Sequence, residues 1–479
     1  MSNLDDTAKA LSFLSDRAWH DFCDESEHTN RIPSGTTFLS QLLAHDMFMT
    51  EPCKNVYISR GKRKGVNQTV NLIEAPLMLT TIYGRTGVAE QLLYDEERPN
   101  RFNVQNLTWY EKVLAAPKFL RDPSKDWSYP VLADARNYST PILAQLAYAF
   151  MAFHNGLVDA FERSGADGED SFALARGAVL LTWFNIIKTD ILDKTCRVAA
   201  HNDQLSEELT DKPWTESEFL SLGVFRCFHS LVRKEYIFNE STLNGGPSLK
   251  IPAILSAESR GPAVGSEYIH GDNLKVQASL IAHWLERWKV DWAMFFDDPV
   301  AKTKAKNLTG FAPRFSFKRP GRTRSKPLGQ SKRREEEIQI LDARKARDFG
   351  LKEVMSFPSV ERGVRQLLQE VHHLQPAHGS GPQRHMNLSI ALLAEGFFDS
   401  DCPPEELGKL GNVGSGVFRR QVNVAIAKAN SLVDDTVKNF LGKTAMPKPT
   451  DLPQSFMEMI HMTRKNEFVF ISKKEKMNV

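Results

Sequence analysis

The chain has 479 residues, 41% of them hydrophobic and 25% charged, and its 61 Lys and Arg nearly balance its 59 Asp and Glu. This is the composition of an ordinary globular protein with a large core, and the net charge of +2 excludes an overall field that would select nucleic acid or anionic membranes. No stretch approaches the ~20 apolar residues of a membrane span, and the acidic N-terminus does not resemble a secretory signal. Five scattered cysteines without a CxxC pair disfavour disulfides and zinc, so we expect a cytoplasmic protein with no membrane partner.

Helical spacing of apolar residues dominates the chain, and few stretches alternate with the period of two that a strand needs. We predict a mainly α fold in which residues 31–470 form one large domain, preceded by an N-terminal extension (1–30) and followed by a C-terminal tail (471–479). Residues 302–334 hold twelve Lys and Arg and no acid. Because charge runs rich in Pro and Gly are usually solvated, we predict a surface loop or insertion there. An acidic partner bound at 302–334 is the less favoured alternative.

The first of three candidate site segments is TFLSQLLAHDM, in which Phe38, Gln41, Leu42 and His45 have the spacing of one helix face. Gln41 and His45 therefore project together toward whatever this face buries. A histidine on an apolar face is more often a hydrogen-bonded core residue than part of an active site. The segment alone leaves both interpretations open.

The second segment, DARNYSTPILAQLAYAFMAFHNGLVDAF, predicts a helix that is capped by Ser139 or Thr140 and has Pro141 in its first turn. Arg136 falls in the loop just before this helix. The apolar stripe along the helix indicates that His154 is a structural residue. An arginine in such a loop is usually a surface residue, so Arg136 carries little weight alone.

The third segment, WTESEFLSLGVFRCFHSLVRKEYIFN, predicts a helix over Trp214–Asn239 that begins with the capping box Thr215-x-x-Glu218. Its apolar face carries Leu222, Phe225, His229, Val232 and Tyr236. His229 thus has the dry apolar surroundings that a haem iron ligand requires, although a core histidine has the same surroundings.

Six stretches, in sequence order, resemble the motifs of the animal-type haem peroxidase family, the peroxidase and cyclooxygenase superfamily. They are IPSGTTFLSQLLAHD, PLMLTTIYGRTGVAEQL, ADARNYSTPILAQLAYAFMAFHNGLVD, EFLSLGVFRCFHSLVRKEYIFN, LDARKARDFGL and ELGKLGNVGSGVF. Several motifs in the family's order are far more specific than any one of them. The resemblance is to bacterial-type, cytosolic members, and it implies a single large helical domain around a buried haem.

On the distal side of the haem, the resemblance implies three roles. His45 corresponds to the base that accepts a proton from peroxide and returns it to the departing oxygen. Arg136 corresponds to the arginine that stabilises the charge developing there, and Gln41 to a hydrogen-bonding pocket residue. The implied function is a peroxidase that uses hydrogen peroxide to oxidise or couple a small organic substrate, as in a biosynthetic pathway.

On the proximal side, His229 corresponds to the ligand of the haem iron. Arg226 matches the arginine near the haem propionates, and Lys345 replaces a second propionate-binding arginine. Asp342 falls where many members have the asparagine that hydrogen-bonds the proximal histidine. A carboxylate at this position would orient His229 and raise its basicity.

Two departures from the family pattern concern cofactors. Members that attach haem through esters use an aspartate and a glutamate where this chain has Ala44 and Ser139, so the resemblance implies haem b held without covalent bonds. Asp46 matches the aspartate that binds calcium in those members. The remaining calcium positions fall on Glu74, Pro76, Met78 and Thr80. The two apolar side chains among them disfavour calcium, which needs several oxygen ligands.

Two alternatives to a peroxidase follow from the same resemblance. Fatty-acid oxygenases of the superfamily have a radical-forming tyrosine three residues before the proximal histidine, where this chain has Arg226. Tyr138 and Tyr236 do not match that position, so the sequence favours the peroxidase branch. The other alternative is a non-catalytic haem-binding scaffold, against which the joint presence of a distal base, a distal arginine and a proximal histidine argues.

Overall fold

The computed structural model describes part of the chain, and the structural statements below concern residues 32–52, 57–59, 62–64, 69–71, 73–84, 92–105, 116–117, 119–121, 128–138, 140–197, 220, 224–225, 228–232, 235–240, 249–250, 287–309, 406, 409–440 and 452–465. This part is mainly helical, at 62%, which confirms the predicted class. The predicted features that lie outside the described residues are the extension (1–30), the tail (471–479), residues 310–334 of the basic segment, Ser139, Arg226, Asp342 and Lys345.

Within the described residues the α-helices are α1 (Gly35–Met47), α2 (Thr80–Tyr83), α3 (Pro141–Arg163), α4 (Gly168–Ile186), α5 (Asp193–Thr195), α6 (Asn412–Phe440) and α7 (Phe456–Lys465). A π-helix, Ile187–Leu192, continues α4, and 3-10 helices cover Ala135–Tyr138, Phe228–Leu231 and Trp292–Met294. None of these helices is long and apolar enough to cross a lipid bilayer.

The described strands are two or three residues long and form antiparallel pairs. The pairs are β1 (Thr50–Pro52) with β4 (Thr69–Asn71), β2 (Tyr57–Ser59) with β3 (Lys62–Lys64), β5 (Val104–Gln105) with β6 (Ala116–Pro117), β7 (Phe119–Arg121) with β8 (Ser128–Pro130), and β9 (Glu235–Tyr236) with β10 (Leu249–Lys250). In the first pair, Thr50 lies opposite Asn71 and Pro52 opposite Thr69. The described strands therefore form two-stranded sheets beside a helical core, and no larger sheet occurs among the described residues.

Helix α3 lies at the centre of the core, packed against α1, α4 and α7. Thr140 Oγ1 accepts a hydrogen bond from Leu143 N at 3.2 Å and Pro141 begins the helix, so the predicted cap is confirmed. Almost every side chain of α3 is buried, as expected of a helix that is apolar all round. His154 is fully buried in α3 and contacts Tyr83 Oη at 3.0 Å and Asn100 O at 3.1 Å, which makes it a structural residue.

The N-terminus of α1 is packed against a neighbouring loop. A Cβ atom on Gly35 would lie 2.3–2.5 Å from the ring of Phe296, so this position requires glycine. Gly35 N donates to Phe295 O and Ser34 N donates to Asn307 O, both at 2.9 Å, which satisfies amides that a helix start leaves unpaired. Farther along, α1 packs against α3, the π-helix and the 3-10 helix Phe228–Leu231.

The prediction of one helix over Trp214–Asn239 is wrong for its second half. Within the described residues of that stretch, Phe228–Leu231 is a single 3-10 turn and Glu235–Tyr236 is a strand. Burial there follows a period of two, with Tyr236 and Phe238 buried at 1% and 0% and Ile237 half-buried between them. Aromatic and β-branched residues favour an extended chain. The four-residue spacing between Val232 and Tyr236 therefore does not reflect a helix.

The first residues of the predicted basic segment, Lys302 to Thr309, are described and are integrated into the fold. Asn307 is 2% exposed, and its side chain bonds both Ile237 N and Ile237 O. Thr309 N donates to Ile32 O at 2.8 Å. Lys304 pairs with Asp297 on the exposed side. Residues 302–309 are therefore held to neighbouring elements at several points, while their lysines are exposed.

Candidate active site at the C-terminal end of α1

Helix α1 places the predicted candidate residues on one face, as the spacing indicated. Phe38 and Leu42 are buried at 4% and 0% and anchor the helix in the core. Gln41 and His45 are half-buried at the edge of the same face. The Gln41 amide makes no hydrogen bond with the described residues, so it is free to bind a ligand beside His45.

The imidazole of His45 is held through one ring nitrogen. His45 Nδ1 lies 2.9 Å from Oδ1 of Asn137, and Nδ2 of Asn137 donates to Thr81 O at 3.1 Å. Asn137 is fully buried in the 3-10 helix that precedes α3. His45 Nε2 has no hydrogen-bond partner among the described residues. The arrangement leaves one nitrogen of a positioned imidazole available for proton transfer.

The surroundings of His45 favour its neutral form. Burial is the main cause of a lowered His45 pKa, and the positive charge of Arg136 lowers it further. The hydrogen bond with Asn137 and the charge of Asp134 act in the opposite direction and are outweighed. At neutral pH the ring is therefore uncharged, as a general base must be.

Arg136, the predicted distal arginine, is bound to the end of α1 and to Asp134. Its Nη1 donates to Phe48 O at 2.6 Å, and its Nη2 donates to His45 O at 2.9 Å and to Asp134 Oδ2 at 2.6 Å. Nε also donates to Asp134. Of the five guanidinium N–H groups, only one on Nη1 lacks a partner among the described residues. The side chain thus clamps the backbone of α1, with one N–H group left for a ligand.

Asp134 is the counterion of this clamp. Burial alone would raise the pKa of Asp134, but the hydrogen bonds from Arg136 and its positive charge outweigh that effect and lower it. The side chain of Asp134 is 12% exposed and that of Arg136 is 31% exposed. Arg136 and Asp134 act on the pKa of His45 in opposite directions.

Asp46, the residue that matches a calcium ligand, points into the core. Its Oδ2 accepts hydrogen bonds from Leu79 N at 3.1 Å and from Trp183 Nε1 at 3.2 Å. Asp46 Oδ1 is also buried and has no hydrogen-bond partner among the described residues. Glu74 is exposed. The described residues contain no group of three or more His, Cys, Asp or Glu side chains arranged to hold a metal ion. That calcium is disfavoured stays a prediction.

The segment of the predicted iron ligand packs close to α1. His229 lies in the 3-10 helix Phe228–Leu231, and its side chain is outside the described residues. Phe225 contacts the Phe48 ring edge-on at 5.9 Å, and both Phe225 and Phe228 contact Phe418 of α6 at 5.6 Å. These rings join the end of α1, the His229 segment and α6 in one aromatic cluster.

No model of a known protein family matches the chain, and no curated protein matches it either. The likeness to animal-type haem peroxidases therefore remains one of motifs and their order. The residues at the end of α1 fit the distal side of a haem pocket, because they provide a neutral imidazole with an unpartnered nitrogen. The proximal donor set, made of His229, Arg226, Asp342 and Lys345, involves side chains that are not described.

A pocket of about 220 Å³ opens beside the end of α1. It is lined by Met47, Phe48, Asn71, Ala75, Pro76, Leu220, Gln421, Val424, Ala425, Lys428, Ala429 and Leu432. Most of these side chains are apolar, and Lys428 is the charged one. Met47, two positions after His45 in the sequence, lines the pocket, and His45 itself does not.

Sequence reasoning missed Asn137 and Thr81, which form the hydrogen-bond chain to His45. Asn137 directly follows Arg136 in the sequence, yet an asparagine in a loop before a helix is usually solvated. Thr81 contributes a backbone carbonyl, which any residue carries. Only the tertiary arrangement of α1, α2 and the 3-10 helix Ala135–Tyr138 identifies these two partners.

Proposed function

We propose that the chain is a haem-dependent peroxidase that uses hydrogen peroxide to oxidise or couple a small organic substrate. The observation that carries the proposal is the state of His45, a neutral imidazole held at Nδ1 with no described partner at Nε2. The order of the motifs along the chain supports it. His229 would bind the iron of haem b, and haem, when bound, supplies the redox chemistry.

His45 acts as the acid–base group in this proposal. Its Nε2 accepts a proton from hydrogen peroxide and returns it to the oxygen that departs as water. The lowered pKa supports this role, because an imidazolium has no lone pair to accept the proton. Gln41, which is half-buried one turn earlier on the same face, would hydrogen-bond the peroxide.

Arg136 supports the base mainly by holding the backbone that carries it. Its guanidinium holds the carbonyl groups of His45 and Phe48, which fixes the end of α1, and its charge helps to keep His45 neutral. The remaining N–H group of Nη1 is its available contact to an oxygen with developing charge. Asp134 orients the guanidinium through Nε and Nη2.

The apolar pocket beside Phe48 favours an organic substrate over a halide. The pocket offers apolar contacts from Met47, Phe48, Pro76 and Leu220. A hydrated chloride ion would not use them. Ala44 and Ser139 stand where ester-forming acids occur in related proteins, so we expect the haem to be held without covalent bonds.

The oxygenase alternative needs a radical-forming tyrosine, and the surroundings of Tyr83 do not favour a radical on its ring. Tyr83 Oη lies 3.0 Å from Nδ1 of His154, but burial lowers the pKa of His154 to about 3, so this ring is a weak proton acceptor. The Arg176 guanidinium lies 5.0 Å from the Tyr83 ring, and its positive charge opposes oxidation of the ring. The choice of the peroxidase branch rests on Arg226, which stands where the oxygenases have their tyrosine.

Titration of the purified protein with haem tests the proposal. We expect a saturable haem absorption band, free extraction of the haem by acid acetone, and at least a tenfold loss of affinity in His229→Ala. The matched variant His461→Ala, which removes a half-buried histidine bound to Asp298, should retain wild-type affinity. Equal affinities in all three proteins, or no binding to the wild type, would contradict the proposal.

A further inference from the structure

The side chain of Asn137 is buried and bonded at both ends. It is 0% exposed, its Nδ2 donates to Thr81 O at 3.1 Å, and its Oδ1 lies 2.9 Å from His45 Nδ1. Thr81 O can only accept a hydrogen bond, so it selects the amide nitrogen of Asn137. The opposite orientation would place two oxygen acceptors against each other and is excluded for that reason.

The direction of the amide has a consequence for His45. Because Asn137 Nδ2 points to Thr81, Oδ1 must point to the imidazole, and an amide oxygen can only accept. Nδ1 of His45 therefore carries the hydrogen. In a neutral imidazole the other nitrogen, Nε2, then keeps its lone pair.

We propose that Asn137 is a positioning residue that fixes the tautomer of His45 with hydrogen on Nδ1 and the lone pair on Nε2. Only the role of His45 Nε2 in proton transfer rests on the proposed function; the tautomer itself does not. The chain of contacts is Thr81 O, Asn137 and His45, and it joins α2, the 3-10 helix Ala135–Tyr138 and α1. A free imidazole in water exchanges between two tautomers, whereas this one has its proton location set by a buried carbonyl.

The charged groups around His45 do not set the tautomer. Arg136 and Asp134 are the charged side chains that act on the ring, with opposite signs. Neither side chain bonds a ring nitrogen, since Arg136 binds the carbonyl of His45 and Asp134 binds Arg136. Asp46, the next residue, points into the core toward Trp183. Choice of the protonated nitrogen is thus left to Asn137.

Nitrogen-15 NMR of the haem-free full chain labelled at histidine tests the proposal. The His45 signals are assigned by their absence in His45→Gln. In the wild type we expect a protonated-type shift for Nδ1 and an unprotonated-type shift for Nε2, and in Asn137→Leu we expect the two shifts to move toward each other as tautomers mix. Asn155→Leu is the matched control, because Asn155 is a buried asparagine that bonds the backbone of Phe102 and not His45.

A second variant keeps the test decisive if Asn137→Leu does not fold. Asn137→Asp retains an oxygen acceptor at Nδ1, and a protonated carboxyl could still donate to Thr81 O, so the Nδ1–H tautomer of neutral His45 should persist. Unchanged shifts in Asn137→Leu, the same change in Asn155→Leu, or mixed tautomers in Asn137→Asp would overturn the role of Asn137. Haem binding is not needed for these spectra, so their outcome is independent of whether the peroxidase proposal holds.

Discussion

At the scale of single residues, burial acts in opposite directions on the pKa of two neighbours, His45 and Asp46. It lowers the pKa of His45, and it raises the pKa of the fully buried Asp46 to about 7 against the hydrogen bonds from Leu79 N and Trp183 Nε1. Both groups therefore favour their neutral forms. The Arg136–Asp134 pair provides the charges at this end of α1.

The raised pKa of Asp46 predicts a pH-dependent stability. Below pH 3.8 the carboxyl is protonated in both the folded and the unfolded chain; between 3.8 and about 7 the unfolded chain loses the proton while the folded chain keeps it. The free energy of unfolding should therefore fall as the pH rises through this window and should level off above it. Asp46→Asn should remove this contribution, which is on the order of a few kcal/mol.

Urea unfolding at pH 5 and pH 8 measures that difference. The control is Glu169→Gln, which removes an exposed carboxyl from the first turn of α4 and should keep the wild-type pH dependence. A steeper or unchanged dependence in Asp46→Asn would contradict the assignment of Asp46 as the group responsible.

Residue-level prediction from the sequence had a clear limit. A motif marks His45 as a candidate in the sequence, and its half-buried position agrees with the spacing of the apolar residues around it. Asn137 has no such signal, since its burial depends on α1 and α2 closing over the 3-10 helix Ala135–Tyr138. The sequence does not predict the contacts of Arg136 either, because folding brings together the two carbonyl groups and the carboxylate that it binds.

At the scale of elements, α1 is fixed at both ends by other parts of the chain. Phe296 closes over Gly35 at its start, and Arg136 holds the carbonyl groups at its end. Leu79, next to α2, adopts a left-handed conformation (φ 50°) and donates its N–H to Asp46, so the adjoining loop is also adapted to α1. His45 is thus presented from a helix that has little freedom to shift.

A pair of glycine substitutions tests how firmly the start of α1 is fixed. Gly35→Ala should lower the free energy of unfolding by about 1–3 kcal/mol, because its Cβ would overlap the Phe296 ring. Gly168→Ala, at the first residue of α4, meets its nearest atom only at 4.0 Å and should change stability by less than about 1 kcal/mol, in the stabilising direction. Guanidinium unfolding curves measure both, and equal midpoints for the two variants would contradict this packing.

The sequence predicts elements well where one period operates over a long stretch. The sequence predicts α1 and α3, with Ser139 or Thr140 as the cap of α3, because 3.6-residue spacing and capping chemistry agree there. The prediction of a helix over Trp214–Asn239 is wrong at Tyr236, Ile237 and Phe238. These residues fit both the helical period of 3.6 and the strand period of 2, and contacts with the loop at Asn307 select the extended form. Such contacts lie 70 residues apart in the chain, so local patterns do not register them.

At the scale of the whole molecule, the candidate site is assembled from stretches that are distant in sequence. Asn137 bonds His45 and is itself held by Thr81 from a different segment. Phe225 and Phe418 extend the same region into an aromatic cluster. The core itself is one connected set of buried side chains that includes α1, α3, α4, α6 and α7. The mainly α class follows from composition and periodicity, whereas this convergence requires the fold.

The proposed role of His45 as the base of a haem peroxidase is tested most directly by the rate of the haem absorption change after rapid mixing with hydrogen peroxide. In haem-loaded protein of equal haem content, His45→Ala should slow this reaction by about 10²–10⁴-fold, while His461→Ala should react at the wild-type rate. A His45→Ala variant that binds haem and reacts as fast as the wild type would contradict the claim.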